Sequence, residues 1–342
     1  MKELSIGKND EGQRLDRFVS KSVPLLPASL LQKYIRLKRI KINGKRAERD
    51  TRLHLGDTVQ LYINDEFFDT PKQENAYLTV NVPKLNIVYE DENILLVDKK
   101  PGQAVHPYDG SEYGKTLIDH IQAYLYAKRE WRLREENAFT PALCNRIDRN
   151  TGGIVIAAKT AEALRVLNQK IKDREIDKRY LCIVHGTPKP ASGTLEGYLF
   201  KDAVKNRVYV TKTPQKGAKT CATKYQVLQS RNGLSLVECE LITGRTHQIR
   251  VHMEYIGHPL FNDERYGGDR ILKGTTFSKY KQFVENCFRT MPRHGLHARS
   301  LGFIHPATGK EVFFESEMPD DMRTVLDRWR NYVSARPEEG GC

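Results

Sequence analysis

From residue 85 onward the sequence is written in short apolar runs closed by turn residues, which constrains the fold more than any other feature. "NIVYEDENILLVDKKPG" (86–102) reads strand, turn, strand, and "GGIVIAAKT" (152–160) reads as another strand. "RYLCIVHG" (179–186) and "SLVECELIT" (235–243) add two more. Helical spacing appears between them. Thr160 is placed to cap a helix whose face carries Leu164, Leu167 and Ile171. "THQIRVHMEYIG" (246–257) sets Ile249, Met253 and Ile256 on one helical side and stops at Gly257. Strands outnumber helices and do not alternate with them strictly, so the pattern predicts an α+β fold rather than a doubly wound sheet.

The first 64 residues form a separate pattern. Leu15, Phe18 and Val19 make one helical stripe, and Leu30, Leu31, Tyr34 and Ile35 make a second. Ile40 and Ile42 alternate into an Asn43-Gly44 hairpin turn. Val59, Leu61 and Ile63 alternate after a Gly56-Asp57 turn. Residues 65–81 are polar, acidic and proline-punctuated and read as a linker. Residues 82–330 then make the main domain, and 331–342 a frayed tail.

Charge is concentrated in the N-terminal unit. Between Lys33 and Arg52 there are nine basic residues against two acidic ones, a net of +7 within one helix and hairpin. Lys33, Arg36, Lys38, Arg39, Lys41, Lys45 and Arg46 form its centre. A charge run is most often a solvated face, but this one suits a phosphate backbone. The whole chain of 342 residues carries +13, which also favours a polyanionic partner. No apolar run reaches membrane-spanning length, and "MKELSIGKND" lacks the apolar core of a secretory signal. The six cysteines (144, 182, 221, 239, 287 and 342) form no C-x-x-C pair, as expected for buried thiols in a reducing cytoplasm. Nothing in the sequence demands an oligomer, so a monomer is expected.

Familiar catalytic kits are missing. "GSEYGKT" (110–116) has Asp109 where a phosphate loop needs its first glycine, and no apolar strand precedes it. His247, His252, His258, His294 and His297 are numerous but show no zinc-site spacing, so no metal is expected. No G-x-S-x-G elbow occurs. What remains is "NRIDRNTGG" (145–153), in which Asp148 lies within two residues of Arg146 and Arg149. Taken locally, such an aspartate is a turn former that accepts backbone N–H bonds. A carboxylate nucleophile would instead need a cationic partner to stay ionised when buried. "GRTHQIR" (244–250) offers Arg245 and Arg250 for that task.

These segments, in this order and spacing, resemble the RluA-type pseudouridine synthases. The likeness rests on "NRIDRNTGGIVIAAKT", "KRYLCIVHG" and "TGRTHQIRVHMEYIGHPLFNDERYGG". It extends through "HGLHARSLGFIHPATGKEVFFESEMPDDM" and "VDKKPGQAVHP", and so covers about residues 82–330. Residues 1–64 resemble the S-four-like RNA-binding domain that many family members carry. The pairing is most similar to the RluC branch, which modifies large-subunit ribosomal RNA.

The resemblance implies a mixed, largely antiparallel central sheet flanked by helices, and a cofactor-free reaction. The N-glycosidic bond of a uridine breaks, and the uracil turns and rejoins the ribose through carbon. Asp148 matches the nucleophile, Arg146 the residue that replaces the flipped base, and Tyr180 the tyrosine that packs on uracil and can assist proton removal. Arg250 matches the ion-pair partner of the aspartate, with Arg245 nearby as the alternative. Two routes stay open, attack on the ribose or a glycal intermediate. A tRNA-directed synthase of the same family and a non-catalytic RNA-binding or ribosome-assembly factor are the competing expectations. The chain departs from the family's spelling at Asn145, where His is usual, and at Gly152, where Ser is usual. The latter change is expected to remove only a hydroxyl.

Overall fold

A computed structural model describes residues 1–68, 72–132, 137–202, 207–231, 233–272 and 278–334. Packing divides the chain into two compact units. One comprises residues 1–97, 104–145 and 156–169, and the other 98–103, 146–155 and 170–342. The strand runs expected on either side of Asp148 therefore cross from one unit to the other.

The first unit opens with β1 (Lys2–Ser5), α1 (Leu15–Ser22), α2 (Ala28–Arg36), β2 (Ile40–Ile42), β3 (Lys45–Arg46) and β4 (Thr58–Leu61). The four strands form a small sheet in the order β1-β4-β2-β3. Its core takes the stripes expected from the sequence. Leu15, Phe18 and Val19 of α1 and Leu31, Tyr34 and Ile35 of α2 pack with Ile40, Val59, Leu61 and Ile63. Asn43 and Gly44 both have positive φ, as a two-residue turn matching the strand twist requires.

Two 3₁₀ segments, Asp65–Phe68 and Lys72–Thr79, occupy the stretch read as a linker. Tyr77 is buried there against the rings of Tyr126 and Trp131. Next come β5 (Ile87–Glu90), β6 (Ile94–Lys99), α3 (Leu117–Ala127), β7 (Ala142–Leu143), β8 (Gly152–Ala158) and α4 (Ala161–Asp173). The β5–β6 turn is closed by Asp91, whose Oδ1 accepts from Asn93 N and Ile94 N. Thr160 Oγ1 caps α4 by accepting from Ala163 N.

The second unit is built on β9 (Asp177–His185), β10 (Ser192–Asp202), β11 (Arg207–Thr211), β12 (Lys219–Arg231) and β13 (Leu234–Leu241). α5 (Gln248–Tyr255) and α6 (Ser278–Thr290) follow, then β14 (Leu296–Ile304), β15 (Glu311–Glu315) and α7 (Asp320–Ser334). The strand order is β11-β10-β12-β13-β9-β14, with β15 beside β14. All of these pairs are antiparallel. One parallel pairing joins β14 to the start of β8, through His297 with Gly152 and Ala298 with Gly153. The sheet is thus mixed and largely antiparallel. α6 and α7 cover one face, where Tyr280, Val284, Met322, Val325 and Trp329 pack on Leu181, Ile183 and Leu236. α7 runs on through residues 331–334, so the expected tail begins inside a helix, and its last eight residues lie outside the described ones.

Candidate active site

Asp148 lies in the turn before β8, where Thr151 N donates to the Asp148 backbone carbonyl at 3.0 Å. The turn is closed by backbone, which frees the carboxylate from the turn-forming role. Its Oδ2 instead accepts from Arg250 Nη1 at 2.9 Å. Arg250 sits in the first turn of α5, 102 residues further on. Arg250 Nε and Nη2 donate to both oxygens of Asp263 at 2.7 and 2.8 Å. Asp263 is 1% exposed, and its Oδ1 also accepts from Tyr266 N. The Arg250 fork is therefore held from behind while one N–H points at Asp148.

The surroundings tune the carboxylate. Burial alone would raise the Asp148 pKa, but neighbouring cations and the Arg250 hydrogen bond outweigh it and hold the group below its ordinary value. His247, Arg250 and His294 are the charges concerned. Burial also depresses both histidines, His294 to about 3, so Arg250 supplies the charge at neutral pH. Burial lowers the basicity of Arg250 too, yet its bonds to Asp263 and Asp148 raise it above the usual arginine value. The side chain of Asp148 remains 24% exposed, so the ionised group is reachable.

Backbone strain marks the same place. His247, the residue before α5, adopts a left-handed conformation with φ 56°. Such a φ is uncommon outside glycine and asparagine, and it persists where surrounding contacts dictate it. Here the His247 Nδ1 lies 2.9 Å from the Tyr266 hydroxyl, while Nε2 faces Asp148 at 3.8 Å. The Tyr266 ring in turn underlies the guanidinium of Arg250, 5.0 Å from its centroid.

The turn itself is gripped from two sides. Lys99 Nζ donates to the carbonyls of Lys100, Gln103 and Arg149 at 3.0, 2.9 and 2.9 Å. Arg293 pairs bidentately with Asp321 and donates to Asn150 O. His294 Nε2 stands 2.9 Å from Thr151 Oγ1. Neighbouring β14 and the Lys99–Gln103 loop leave no room for side chains after Thr151. A Cβ on Gly153 (φ +117°) would lie 2.1 Å from Ala298 O. A Cβ on Gly152 would lie 3.1 Å from Pro101 and 3.3 Å from Lys99 O. The expectation that Gly152 merely lacks a hydroxyl is thereby corrected, because even a methylene there crowds the loop. Asn145 accepts from Ile156 N through Oδ1, a local hydrogen bond in the first unit.

The remaining sequence candidates divide. Tyr180 lies in β9 between Cys239 of β13 and Ala298 of β14, and it is buried. Burial, reinforced by the charge of Asp148, raises its pKa, so the side chain is a neutral phenol in the resting protein. Arg146 is exposed. Arg245 does not reach the aspartate. Its Nε donates to Thr220 O instead, which leaves Arg250 as the ion-pair partner. The five histidines considered for a metal have gone to separate tasks: His252 faces Thr223, His258 the His185 carbonyl and His297 Ser316. Among the described residues no group of three or more His, Cys, Asp or Glu could hold a metal ion. The five described cysteines are free, and Cys342 lies outside the described residues.

Sequence reasoning passed over Asp263, Lys99 and His247 as site members. All three stand within the quoted family segments, but only the tertiary contacts give them a purpose. In the N-terminal unit Lys33, Arg36, Lys38, Arg39, Lys45 and Arg46 are exposed. Lys41 is half-buried with its ammonium over the Tyr62 ring, and Arg39 lies over Tyr34.

Comparison with known proteins decides the family. A profile described as RNA pseudouridylate synthase matches residues 93–255, and the S4 domain profile matches residues 13–59. An uncharacterized RNA pseudouridine synthase of Chlorobaculum parvum is 34% identical over 334 residues, covering 97% of this chain and 98% of the relative. The chain belongs to the RNA pseudouridylate synthase family. This pseudouridine synthase is also 30% identical over 336 residues to the ribosomal large subunit pseudouridine synthase C of Escherichia coli K12, with 97% of each chain covered. Its fold is similar to that of human RNA pseudouridylate synthase domain containing 4, at a TM-score of 0.53 and 23% identity. That likeness spans 75% of this chain and 96% of the human one. The enzyme's described residues include no helix long and apolar enough to cross a membrane.

Proposed function

We propose that this enzyme converts uridine to pseudouridine in 23S ribosomal RNA in the cytoplasm, with Asp148 as the nucleophile acting on a flipped-out nucleotide. The ion pair between Asp148 and the doubly anchored Arg250 carries this reading. It keeps an oxyanion ionised and aimed in a partly buried site.

In the proposed reaction the N1–C1′ bond breaks, the uracil turns, and a C5–C1′ bond forms. C5 loses the proton that N1 takes up, so substrate and product are isomers. A stacked base is out of reach of Asp148, and extrusion costs roughly a few kcal/mol. Arg146, exposed two residues away, fills the vacated stack, and the Tyr180 ring packs on the uracil. Tyr180 enters as the phenol, which suits packing and hydrogen bonding to the uracil. The large-subunit assignment draws on the 30% identity to synthase C and on the paired S4 domain.

Transcriptome-wide pseudouridine mapping tests both parts. Deleting the gene is expected to remove one or more 23S sites, and Asp148→Asn is expected not to restore them. Loss confined to tRNA would overturn the substrate, and full restoration by Asp148→Asn would overturn the nucleophile.

A further inference from the structure

The N-terminal S4 domain meets the rest of the first unit near one edge of its small sheet. In the order β1-β4-β2-β3, β1 forms one edge and β3 the other. Lys41, Lys45 and Arg46 of the basic run lie on β2 and β3, toward the far edge. Contacts to the rest of the unit gather at the end of β1 instead. Asp10, in the loop after β1, is 1% exposed, and its Oδ2 accepts from Asn137 Nδ2 at 3.2 Å. The same Asn137 amide donates to Ser5 O, at the end of β1. Next to Asp10, Asn9 Oδ1 accepts from Ala161 N at 3.0 Å.

Both asparagines answer a need. Burial raises the Asp10 pKa, while hydrogen bonds from Asn137, Gly7 and Ala138 oppose the rise, so the carboxyl depends on the 137–138 segment for partners. Ala138 packs against the S4 core, as do Phe67 and Phe68. The same segment is tied to the rest of the unit. Gln122 Nε2 of α3 donates to Pro141 O at 3.2 Å, and Trp131 Nε1 to Phe139 O at 3.3 Å. Directly after it, β7 pairs with β8. Ala161 opens α4, and the first N–H groups of a helix have no partner within it. Thr160 takes Ala163 N and Asn9 takes Ala161 N, so the S4 domain supplies half of the α4 cap.

We infer that Asn9, Asp10 and Asn137 form a latch that holds the S4 domain in one orientation on the first unit, and that they act as positioning residues for RNA recognition. The inference rests on the reading of the S4 domain as this synthase's RNA-binding module. The latch grips the β1 end of the sheet and leaves Lys45 and Arg46 on β3 exposed. The basic edge and the rest of the unit then meet one RNA as a single body. A freely tethered S4 domain loses orientational freedom each time it binds; docking removes that cost beforehand. None of the three latch residues is a cation, so they tune affinity without themselves neutralising phosphate.

Two measurements on the full chain test the latch. Nitroxide labels at Ser20→Cys in α1 and Ala127→Cys in α3, with Cys144→Ser and Cys342→Ser, report the distance between the two parts by pulsed EPR. One narrow distance is expected, and adding Asn9→Ala with Asn137→Ala is expected to broaden it. Asn9→Asp keeps an oxygen for Ala161 N and is expected to leave the distance narrow. In unlabelled protein, equilibrium binding to full-length 23S and tRNA transcripts is measured from about 50 to 200 mM KCl. The latch is judged on whichever transcript wild type binds more tightly, so a preference for tRNA would overturn the 23S reading without deciding the latch. The double Ala variant is expected to bind that transcript about tenfold more weakly with an unchanged salt slope, and Asn9→Asp to bind as wild type does. A broad distance in wild type, or a narrow one in the double Ala variant, would overturn the latch. Unchanged affinity or a flattened slope in that variant would overturn its role in RNA recognition.

Discussion

Arg250 turns two of its three donor positions on Asp263, Nε at 2.7 Å and Nη2 at 2.8 Å, and so presents only Nη1 to Asp148. Asp263 is thus a positioning residue that acts through the arginine. Asp263→Asn keeps one acceptor oxygen and loses the second, so the fork can tilt. A misplacement on the order of 1 Å costs roughly a hundredfold in rate. We expect kcat to fall by about that factor while KM for RNA changes little. Equal loss in both parameters would place Asp263 in RNA binding instead.

Replacing Arg250 removes the permanent cation that Asp148 and Asp263 share. Arg250→Met leaves Asp263 buried without its counter-charge, and an uncompensated buried charge costs about 3–5 kcal/mol. Arg250→Lys restores a charge but cannot fork to both oxygens of Asp263 while reaching Asp148. We expect Arg250→Met to lower the urea midpoint strongly and Arg250→Lys to recover stability in part but not activity. Wild-type kcat in Arg250→Lys would refute the orienting role.

The fold was legible where periodicity speaks. The stripes on α1 and α2, the Asn43-Gly44 turn and the strand at 152–158 each follow from spacing within about a dozen residues. Asp148 and Arg250 were legible only because several segments recur in a fixed order. Asp263, Lys99 and His247 were not. Their roles depend on long-range contacts, such as Lys99 with Arg149 across 50 positions. Arg245 was the alternative to Arg250 on the same short segment; their destinations differ because only Arg250 falls inside the first turn of α5, facing Asp263 and Asp148.

The turn after Asp148 is packed to the limit. Gly153→Ala would drive a methyl into Ala298 O at a φ that side chains rarely adopt. We expect the purified variant to be destabilised by several kcal/mol or recovered only as aggregate. Gly152→Ser, which installs the family's usual residue, meets Pro101 at 3.1 Å and is expected to cost about 1–2 kcal/mol. Thermal unfolding of the two variants beside wild type reads the difference, and a neutral Gly152→Ser would show that the Pro101 loop yields.

Acid sensitivity in the first unit centres on Glu90. Oε1 accepts from Lys128 and Lys159, both at 2.9 Å, and Oε2 from the Tyr124 hydroxyl at 2.8 Å. Burial raises the Glu90 pKa, but these bonds overcome it and bring the group to about 2. The folded value lies below the ordinary 4.5, so the stabilisation is complete above that pH and is lost as pH falls toward 2. Urea unfolding at pH 7 and pH 3 is expected to show a smaller acid loss in Glu90→Gln than in wild type, by about 1–2 kcal/mol. Equal losses would assign the acid sensitivity to other carboxylates.

Lys99 makes stability and activity move in opposite directions above neutrality. Burial pushes its ammonium down to about 7; Asp148 and Asp98 raise it, while Arg293 and Arg149 lower it further. Only the ammonium has three N–H groups for the carbonyls of Lys100, Gln103 and Arg149. Once deprotonated, it leaves one of those carbonyls unpaired and loosens the turn that presents Asp148. Between about 7 and the ordinary 10.5 the unfolded chain holds a proton that the folded chain has released, so folding stability rises with pH across that window. Activity is expected to fall over the same range. Lys99→Met abolishes the titration, so its rate should be low at every pH and lack this alkaline limb. A wild-type pH–rate profile in Lys99→Met would show that the clamp has no part in placing the carboxylate.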